Sequence, residues 1–543
     1  MNELALYFHT VRHLRPVQIA SRIWQRVYRP RVDLRPAPRQ RRPSAAYVPP
    51  IAAAPTLVAP DTFRFLNVER RCAAASDWHP ADAAKLWTYH LHYFGDLNAR
   101  DSQARDGWHR MLLERWVSEN PPGSAEGWEP YPVSLRLVNW VKWATRGNAL
   151  PSSCHSSMVV QARWLSGRLE YQILGNHLLA NAKGLVHAGL YFEGSEAERW
   201  YERGIGIIDR QLREQVLADG GHFELSTMYH ALVLEDLLDL INLLRAYGRQ
   251  PPGEWYAAVA RMRRWLLLMS HPDGDIAFFN DAAFGVAATP AELEAYARRL
   301  ELGPPTDYSA PLAVLAASGY VRVAAGPAYL ICDCAPVGPR YQPGHAHADT
   351  LSFELSLAGQ RVFVNSGVSE YGNRPERQRQ RGTAAHNTVI VDGQNSSEIW
   401  GAFRVARRAG ARLSHAGIAD AAIVEGCHDG YARLPGRNRH VRRWILDRHG
   451  LRIEDRISGR FQHAEARFHL HPAIDAQLRA EGKISLRCGG QELASVAFEQ
   501  AAAVQVVRGT WHPRFGVTTP NNCISAAFAA SSLTSHIRWA QQR

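Results

Sequence analysis

The sequence has no long apolar segment and no cysteine framework. No run of about 18 apolar residues occurs, so no transmembrane helix is expected. The 7 cysteines are scattered without a CxxC pair, and an odd number of thiols fits a reducing compartment. Residues 1–30 carry Arg and His throughout and lack the uninterrupted apolar core of a signal peptide. The sequence therefore predicts a cytoplasmic location, with a periplasmic one as the alternative.

Acidic residues are outnumbered by basic ones. The chain has 63 Lys and Arg against 51 Asp and Glu, which gives a net charge of +12. Such a surplus favours a polyanionic partner, which can be nucleic acid, anionic membrane or acidic polysaccharide. The sequence has no zinc-finger, RNP-like or helix-turn-helix signal, so nucleic acid is not expected. The 16 Trp and 19 Tyr provide flat aromatic faces that suit sugar rings, which favours the polysaccharide.

Length and periodicity divide the chain into three parts. Its 543 residues exceed the ~250–300 at which one hydrophobic core stops growing. Residues 1–80 hold an amphipathic helix and an arm rich in Arg and Pro, residues 81–312 repeat apolar positions at helical spacing, and residues 313–543 alternate as β-strands do. The predicted fold is α+β and multidomain, with stacked helix pairs in a solenoid or toroid followed by an antiparallel β-sandwich.

The helix predicted over residues 4–28 has two interpretations. Apolar residues recur at roughly helical spacing with basic residues between them. Such a helix can dock on the main body, which is the interpretation that we favour, or it can lie on an anionic membrane surface. Peripheral membrane contact is therefore an open expectation.

Five short segments concentrate polar and ionisable side chains between apolar flanks. They are residues 175–177, 220–224, 229–230, 344–349 and 385–387. His345 and His347 are two residues apart at the start of a predicted strand, so they point the same way and can share a ligand or divide two tasks. Asn176 can equally be a helix cap, and Tyr229 can be a packed aromatic residue. The prediction of a site rests on the set of segments.

Together these segments resemble those of the heparinase II/III-like polysaccharide lyases, over residues 85–540. The most specific part is GHAHADTLSFEL, followed by VFVNSG and then RGTAAHNTVIVDG. The resemblance implies an incomplete α/α toroid followed by an antiparallel β-sandwich, and the cleavage of a uronate-containing acidic polysaccharide. It also implies that Asn176 neutralises the uronate carboxylate, and that Tyr229 and His345 are the catalytic pair.

Further site residues are predicted around these three. Substrate binding is expected of His177, His222, Glu224, Arg377 and Arg381. The resemblance implies that His347 and His386 are metal-binding or structural histidines, with Asn365 beside them where many relatives carry Asp. An amide oxygen is a weaker zinc ligand than a carboxylate. The expectation is one divalent metal, zinc or calcium, or a hydrogen-bonded set of histidines in its place.

The chemistry of β-elimination gives each predicted residue a task. The C5 proton of the uronate must be acidified and removed, and the departing O4 needs a proton. Asn176, with help from His177, can stabilise the enolate, while Tyr229 and His345 serve as acid and base in an order that depends on the C5 epimer.

We therefore expect a lyase of bacterial exopolysaccharide or capsule metabolism, and two alternatives stay open. A non-catalytic glycan-binding or assembly protein could use the same scaffold. A glycoside hydrolase would need two facing carboxylates, for which Glu224 and Asp236 are available.

Overall fold

The computed structural model describes residues 3–306, 308–479 and 482–539, in which helices precede antiparallel strands. The helices are α1 (Glu3–Val11), α2 (Pro16–Val27), α3 (Lys85–Tyr93), α4 (Asp106–Glu119), α5 (Pro130–Thr145), α6 (Ser152–Ser166), α7 (Gly175–Tyr191), α8 (Ser195–Gln215), α9 (Thr227–Ala246), α10 (Gly253–Leu268), α11 (Pro290–Arg299) and α12 (Pro375–Arg381).

The strands are β1 (Leu57–Ala59), β2 (Thr62–Phe65), β3 (Val68–Arg71), β4 (Leu312–Leu315), β5 (Tyr320–Ala325), β6 (Ala328–Asp333), β7 (Phe353–Leu357), β8 (Gln360–Phe363), β9 (Val389–Val391), β10 (Ile399–Trp400), β11 (Arg404–Val405), β12 (Ala411–Ile418), β13 (Ala422–His428), β14 (Arg439–Leu446), β15 (Gly450–Ser458), β16 (Ala464–His469), β17 (Ile474–Leu478), β18 (Ile484–Cys488), β19 (Gln491–Glu499), β20 (Ala503–Trp511), β21 (Thr519–Phe528) and β22 (Ser532–Trp539). The predicted order of helical and β regions is confirmed.

Helices α3 to α11 pack around one continuous apolar core rich in Trp and Leu. The central α7 packs against α5 and α8, and it is buried along almost its whole length. A helix that is apolar on all sides is stable only when other helices surround it. This requirement explains why the helices wrap into a toroid around α7 and α9.

The C-terminal region consists of packed antiparallel sheets. One sheet has the order β12-β13-β14-β15-β22-β19-β18-β17, a second has β20-β21-β16-β9, and a third has β4-β5-β6-β7-β8. A second apolar core lies between them. Inward residues alternate with exposed ones along β14 and β15, as in a sheet with one face on the core.

The N-terminal part differs from the sequence prediction in two ways. The helix predicted over residues 4–28 is two helices, because Pro16 lacks a backbone N–H and its ring excludes the preceding residue from helical geometry. Residues 57–71 form the small sheet β1-β2-β3 within the region predicted as an arm. In the part of the chain that the structure describes, no helix is long and apolar enough to cross a membrane.

Candidate active site

The candidate site lies where the first turns of α7 and α9 meet loops of the β region. Residues at positive φ shape three of its segments: Gly175 (φ 54°) precedes Asn176, Leu225 (φ 59°) follows Glu224, and Asn280 (φ 57°) precedes Asp281. Non-glycine residues rarely adopt this conformation, and strain of this kind is concentrated at functional sites.

Tyr229 and His345 form the centre of the site. Their rings stack with centroids 3.8 Å apart at an angle of 28°. Tyr229 lies in the first turn of α9, whose N-cap Ser226 accepts a hydrogen bond from the Tyr229 backbone N–H at 3.1 Å. The Tyr229 hydroxyl is 3.1 Å from the hydroxyl of Tyr371. The structure thus joins two of the three predicted catalytic residues across the two domains.

Asp281 fixes the orientation of His345. The Nδ1 of His345 donates to Asp281 Oδ2 at 2.8 Å, which leaves Nε2 as the nitrogen with a free lone pair. The Nε2 of His347 donates to the other oxygen at 2.8 Å, and Arg377 binds both oxygens, with its Nη2 2.7 Å from Oδ2. Burial raises the pKa of Asp281, but Arg377 and the histidines outweigh burial and hold the pKa well below its usual range.

Glu224 is a buried carboxylate that faces the free side of His345. The distance from Glu224 Oε2 to His345 Nε2 is 3.8 Å. Neither Glu224 oxygen accepts a hydrogen bond from another side chain among the described residues, and the backbone N–H of Asn176 is its polar neighbour. Burial raises the pKa of Glu224, against the opposing effect of His345 and His177. A buried carboxyl group that lacks side-chain hydrogen bonds is costly in an interior, and at this site it is available to a ligand.

Asn176 and His177 stand at the start of α7, beside Glu224. The side-chain oxygen of Asn176 is buried and has no partner among the described residues. His177 Nδ1 lies 3.1 Å from Glu170, and its ring packs against Tyr131. Burial lowers the pKa of His177, but the Glu170 carboxylate outweighs burial, so the pKa is raised overall. The predicted residues Asn176, His177 and Glu224 therefore lie close together.

Three predicted substrate-binding residues are buried and contact other groups of the chain. Arg377 and Arg381 are fully buried; Arg377 binds Asp281, and Arg381 donates to the carbonyl oxygen of Ala346 at 3.0 Å. His222 is also buried, with Nε2 3.0 Å from Gln215 Oε1. The guanidinium groups of Arg377 and Arg381 are thus bound to groups of the chain itself, which runs against the prediction that they bind substrate. His222 keeps one ring nitrogen, Nδ1, without a hydrogen-bond partner among the described residues, but it is buried.

His347 and His386 form a layer beneath His345. Nδ1 of His347 and Nε2 of His386 are 3.3 Å apart. Asp281 Oδ1 accepts a hydrogen bond from His347 Nε2, and Asn365 Oδ1 lies 3.2 Å from His386 Nδ1. If His347 Nε2 and His386 Nδ1 carry the protons in these contacts, the two nitrogens that face each other, His347 Nδ1 and His386 Nε2, both present lone pairs. A cation between them would relieve this arrangement.

Asp349 completes a candidate metal site. One ligand atom each from His347, Asp349 and His386 lies within 4.8 Å of the others, and all three are buried. Burial lowers the pKa of His347 to about 4 and that of His386 to about 3, so both are neutral near pH 7, as metal ligands must be. Asn365, which the sequence analysis placed in this set, is not one of the three, and its oxygen already faces His386 Nδ1 and the Asn387 N–H.

The arrangement is suited to moving protons at a bound substrate. Burial, together with Tyr371 and Asp281, raises the pKa of Tyr229 well above its usual value, so the hydroxyl holds its proton. His345 Nε2 can accept one. The sequence analysis missed Asp281 and Tyr371. Asp281 follows an apolar stretch and stands in no local motif. Tyr371 lies beside Gly372, shortly before the Arg-rich α12, and this position is only a weak sign of a functional residue.

Comparisons with known proteins agree over most of the chain. The family model described as heparinase II/III N-terminus matches residues 99–300, and the one described as heparinase II/III-like, C-terminal, matches residues 308–540. A heparin-sulfate lyase of Bacteroides stercoris is 28% identical over 246 residues, which are 41% of this chain and 37% of that protein. This chain thus spans less than half the length of that relative.

Two further matches cover more of the chain. The FtsZ-localized protein C of Caulobacter vibrioides is 27% identical over 466 residues, 79% of this chain and 78% of that protein. The crystal structure of heparinase III superposes with a TM-score of 0.70 at 17% identity, covering 86% of this chain and 79% of that one. The second match shows a shared fold, a toroid followed by a β-sandwich.

Proposed function

The chain belongs to the heparinase II/III-like family, and we propose that it is a polysaccharide lyase that cleaves a uronate-containing acidic polysaccharide by β-elimination. The observation that carries this proposal is the stacked pair of a protonated Tyr229 and a His345 whose Nε2 lone pair is free. The heparin-sulfate lyase relatives are consistent with it. A role in bacterial exopolysaccharide or capsule metabolism is the biological setting that we propose.

In the proposed reaction, His345 Nε2 removes the C5 proton of the uronate. The electron pair of the C5–H bond forms the C4–C5 double bond as the C4–O4 bond breaks. Tyr229 gives its proton to the departing O4. The resting structure supports this order, because Asp281 accepts the hydrogen bond from His345 Nδ1 and burial raises the pKa of the Tyr229 hydroxyl.

Asn176 and Glu224 are proposed to bind the uronate carboxylate. The Asn176 amide can donate to the developing enolate oxygen, which stabilises negative charge as it forms. Because burial raises the pKa of Glu224, this side chain carries a proton over a wider pH range and repels the uronate less. The raised pKa of His177 favours a positive charge on the same side.

A divalent ion would be held by His347, Asp349 and His386, and their two imidazoles favour zinc over calcium. When bound, it would supply a fixed positive charge beneath the site. Asp281 binds His347 through one oxygen and His345 through the other. A metal ligand, His347, is therefore connected through Asp281 to the imidazole ring of His345 and helps to fix its position.

The proposal is tested with a panel of uronate polysaccharides, including heparan sulfate, alginate, hyaluronan and bacterial capsule polymers. Elimination creates a double bond conjugated to the carboxylate, whose ultraviolet absorbance should rise with wild-type protein on at least one polymer. Tyr229→Phe should fold and bind the same polymer without producing the absorbance. If no polymer yields it, the lyase proposal is wrong.

A second candidate is a non-catalytic assembly protein on the same scaffold. It is favoured by the match to FtsZ-localized protein C, which covers 78% of that protein. Under this alternative the chain would bind an acidic polymer without cleaving it, and neither the wild type nor Tyr229→Phe would produce the absorbance on any polymer.

A further inference from the structure

Helix α2 is attached to the rest of the chain by polar side chains. Gln18 is only 2% exposed, and its Nε2 donates to the carbonyl oxygens of Ile173 and Tyr341, each at 3.4 Å. Gln25, two turns later, donates to Gln172 Oε1 at 2.7 Å. The face of α2 that meets the protein is therefore hydrophilic.

The opposite face of α2 is apolar and exposed to solvent. Ile23 is 61% exposed, Trp24 57% and Val27 78%. At about 100° per residue, Ile23 and Val27 lie on the side of the helix away from Gln18. An ordinary surface helix turns its apolar stripe to the core and its polar face to water. Helix α2 does the reverse, so its sequence pattern is not explained by docking on this chain.

Helix α1 repeats the arrangement. Leu6 is buried, and Thr10 accepts a hydrogen bond from the Trp400 indole at 3.0 Å. Phe8 is 64% exposed and Val11 47%, and both lie on the side of α1 opposite Leu6. Both α1 and α2 therefore expose apolar side chains to solvent, and each contacts the rest of the chain through a narrow inner face.

The charges beside this surface select its partner. Arg22 and Arg26 are exposed on one flank of α2, and neither forms an ion pair with any residue that the structure describes. Exposed Arg12, Arg29 and Arg31 lie in the adjoining segments. Apolar side chains flanked by arginines and a tryptophan are the features of a helix that lies in the interface of an anionic bilayer. In a symmetric dimer through this surface, these arginines would face the same arginines of the second copy, and their positive charges would repel each other.

We propose that α1 and α2 form a membrane-docking surface that inserts Phe8, Ile23, Trp24 and Val27 into the headgroup region of an anionic bilayer. The adjacent arginines bind the lipid phosphates. The surface shares no residue with the candidate active site, so this proposal does not depend on the lyase activity.

The test is co-sedimentation of the full chain with vesicles of phosphatidylglycerol and phosphatidylcholine, compared with phosphatidylcholine alone. We expect binding to the anionic vesicles that weakens as salt is raised. Ile23→Glu/Trp24→Glu should lower the partition coefficient by about tenfold or more, because two apolar contacts are lost. Arg22→Gln/Arg26→Gln should lower it roughly thirtyfold. Because all four side chains are exposed, the melting temperature should stay unchanged.

Matched controls alter the same residue types elsewhere on the surface. Leu478, 52% exposed on β17, is replaced with Glu, and the exposed Arg439 and Arg460 are replaced with Gln; both variants should bind as the wild type does. The proposal is overturned if the wild type does not sediment with anionic vesicles, or if the controls weaken binding as much as the α2 variants. A solution dimer that dissociates in Ile23→Glu/Trp24→Glu would equally overturn it in favour of a second copy.

Discussion

Replacing Asp281 with Asn removes one negative charge without changing the size of the side chain. Asp281 Oδ1 accepts from His347 and Arg377, and Oδ2 accepts from His345 and Arg377. An amide has only one accepting oxygen, so either orientation turns an NH₂ group against the guanidinium and one histidine. The buried Arg377 then lacks a counter-charge, which costs about 3–5 kcal/mol of stability for a pair broken on one side.

The catalytic effect follows from the tautomer of His345. If the NH₂ group faces Nδ1, that nitrogen becomes the acceptor and the proton moves to Nε2, which can no longer act as base. In Ser-His-Asp hydrolases, replacing the Asp with Asn fixes the wrong histidine tautomer and lowers kcat by a factor on the order of 10⁴. We expect a loss of about 10³–10⁴ in kcat for Asp281→Asn at a temperature where the protein remains folded, measured from the ultraviolet absorbance of the product.

Asp455→Asn separates the two effects. Asp455 is also fully buried and accepts from His440 at 2.6 Å and from Arg442 at 2.7 Å, within the sandwich. This variant should lose similar stability in urea titration but keep kcat within severalfold of the wild type. Equal losses of kcat in both variants would refute the role given to Asp281, and so would a folded Asp281→Asn with normal turnover.

The remaining predictions concern Tyr371, the pH profile and the metal. Tyr371→Phe removes the partner of the catalytic hydroxyl and should lower kcat roughly tenfold in steady-state assays; a loss equal to that of Tyr229→Phe would reverse the two roles. Because the pKa of Tyr229 is raised and its protonated form is the acid, activity should persist with rising pH until above about 10, whereas a fall near neutrality due to Tyr229 would contradict this. Elemental analysis should find one zinc per chain that is lost in His386→Ala, and chelation should lower the melting temperature of the wild type but not of this variant.

Local patterns revealed the residues that stand in short motifs. The two-residue spacing of His345 and His347 predicted a shared direction, and both bind the two oxygens of one carboxylate. Asp281 itself could not be predicted, because it lies 64 residues from His345 in the chain and no spacing connects the two. The switch from helical to strand periodicity similarly gave the order of the domains, since those periods are local properties.

The inward or outward direction of charged and amphipathic segments could not be obtained from the sequence. Arg377 in α12 is predicted from the sequence to bind substrate, but its side chain turns inward to Asp281, 96 residues away. The N-terminal pattern likewise predicted amphipathic helix without showing which side faces the protein. In the structure it is the polar side, through Gln18. Such directions depend on partners distant in sequence.

The most direct test of the central claim is the fate of solvent oxygen during cleavage. A polymer that the protein degrades is digested in water enriched in heavy oxygen, and the products are weighed by mass spectrometry. Elimination through Tyr229 and His345 predicts new non-reducing ends that are one water lighter than hydrolysis products and carry no solvent oxygen, with none formed by Tyr229→Phe. Saturated products that incorporate heavy oxygen would show hydrolysis and contradict the account.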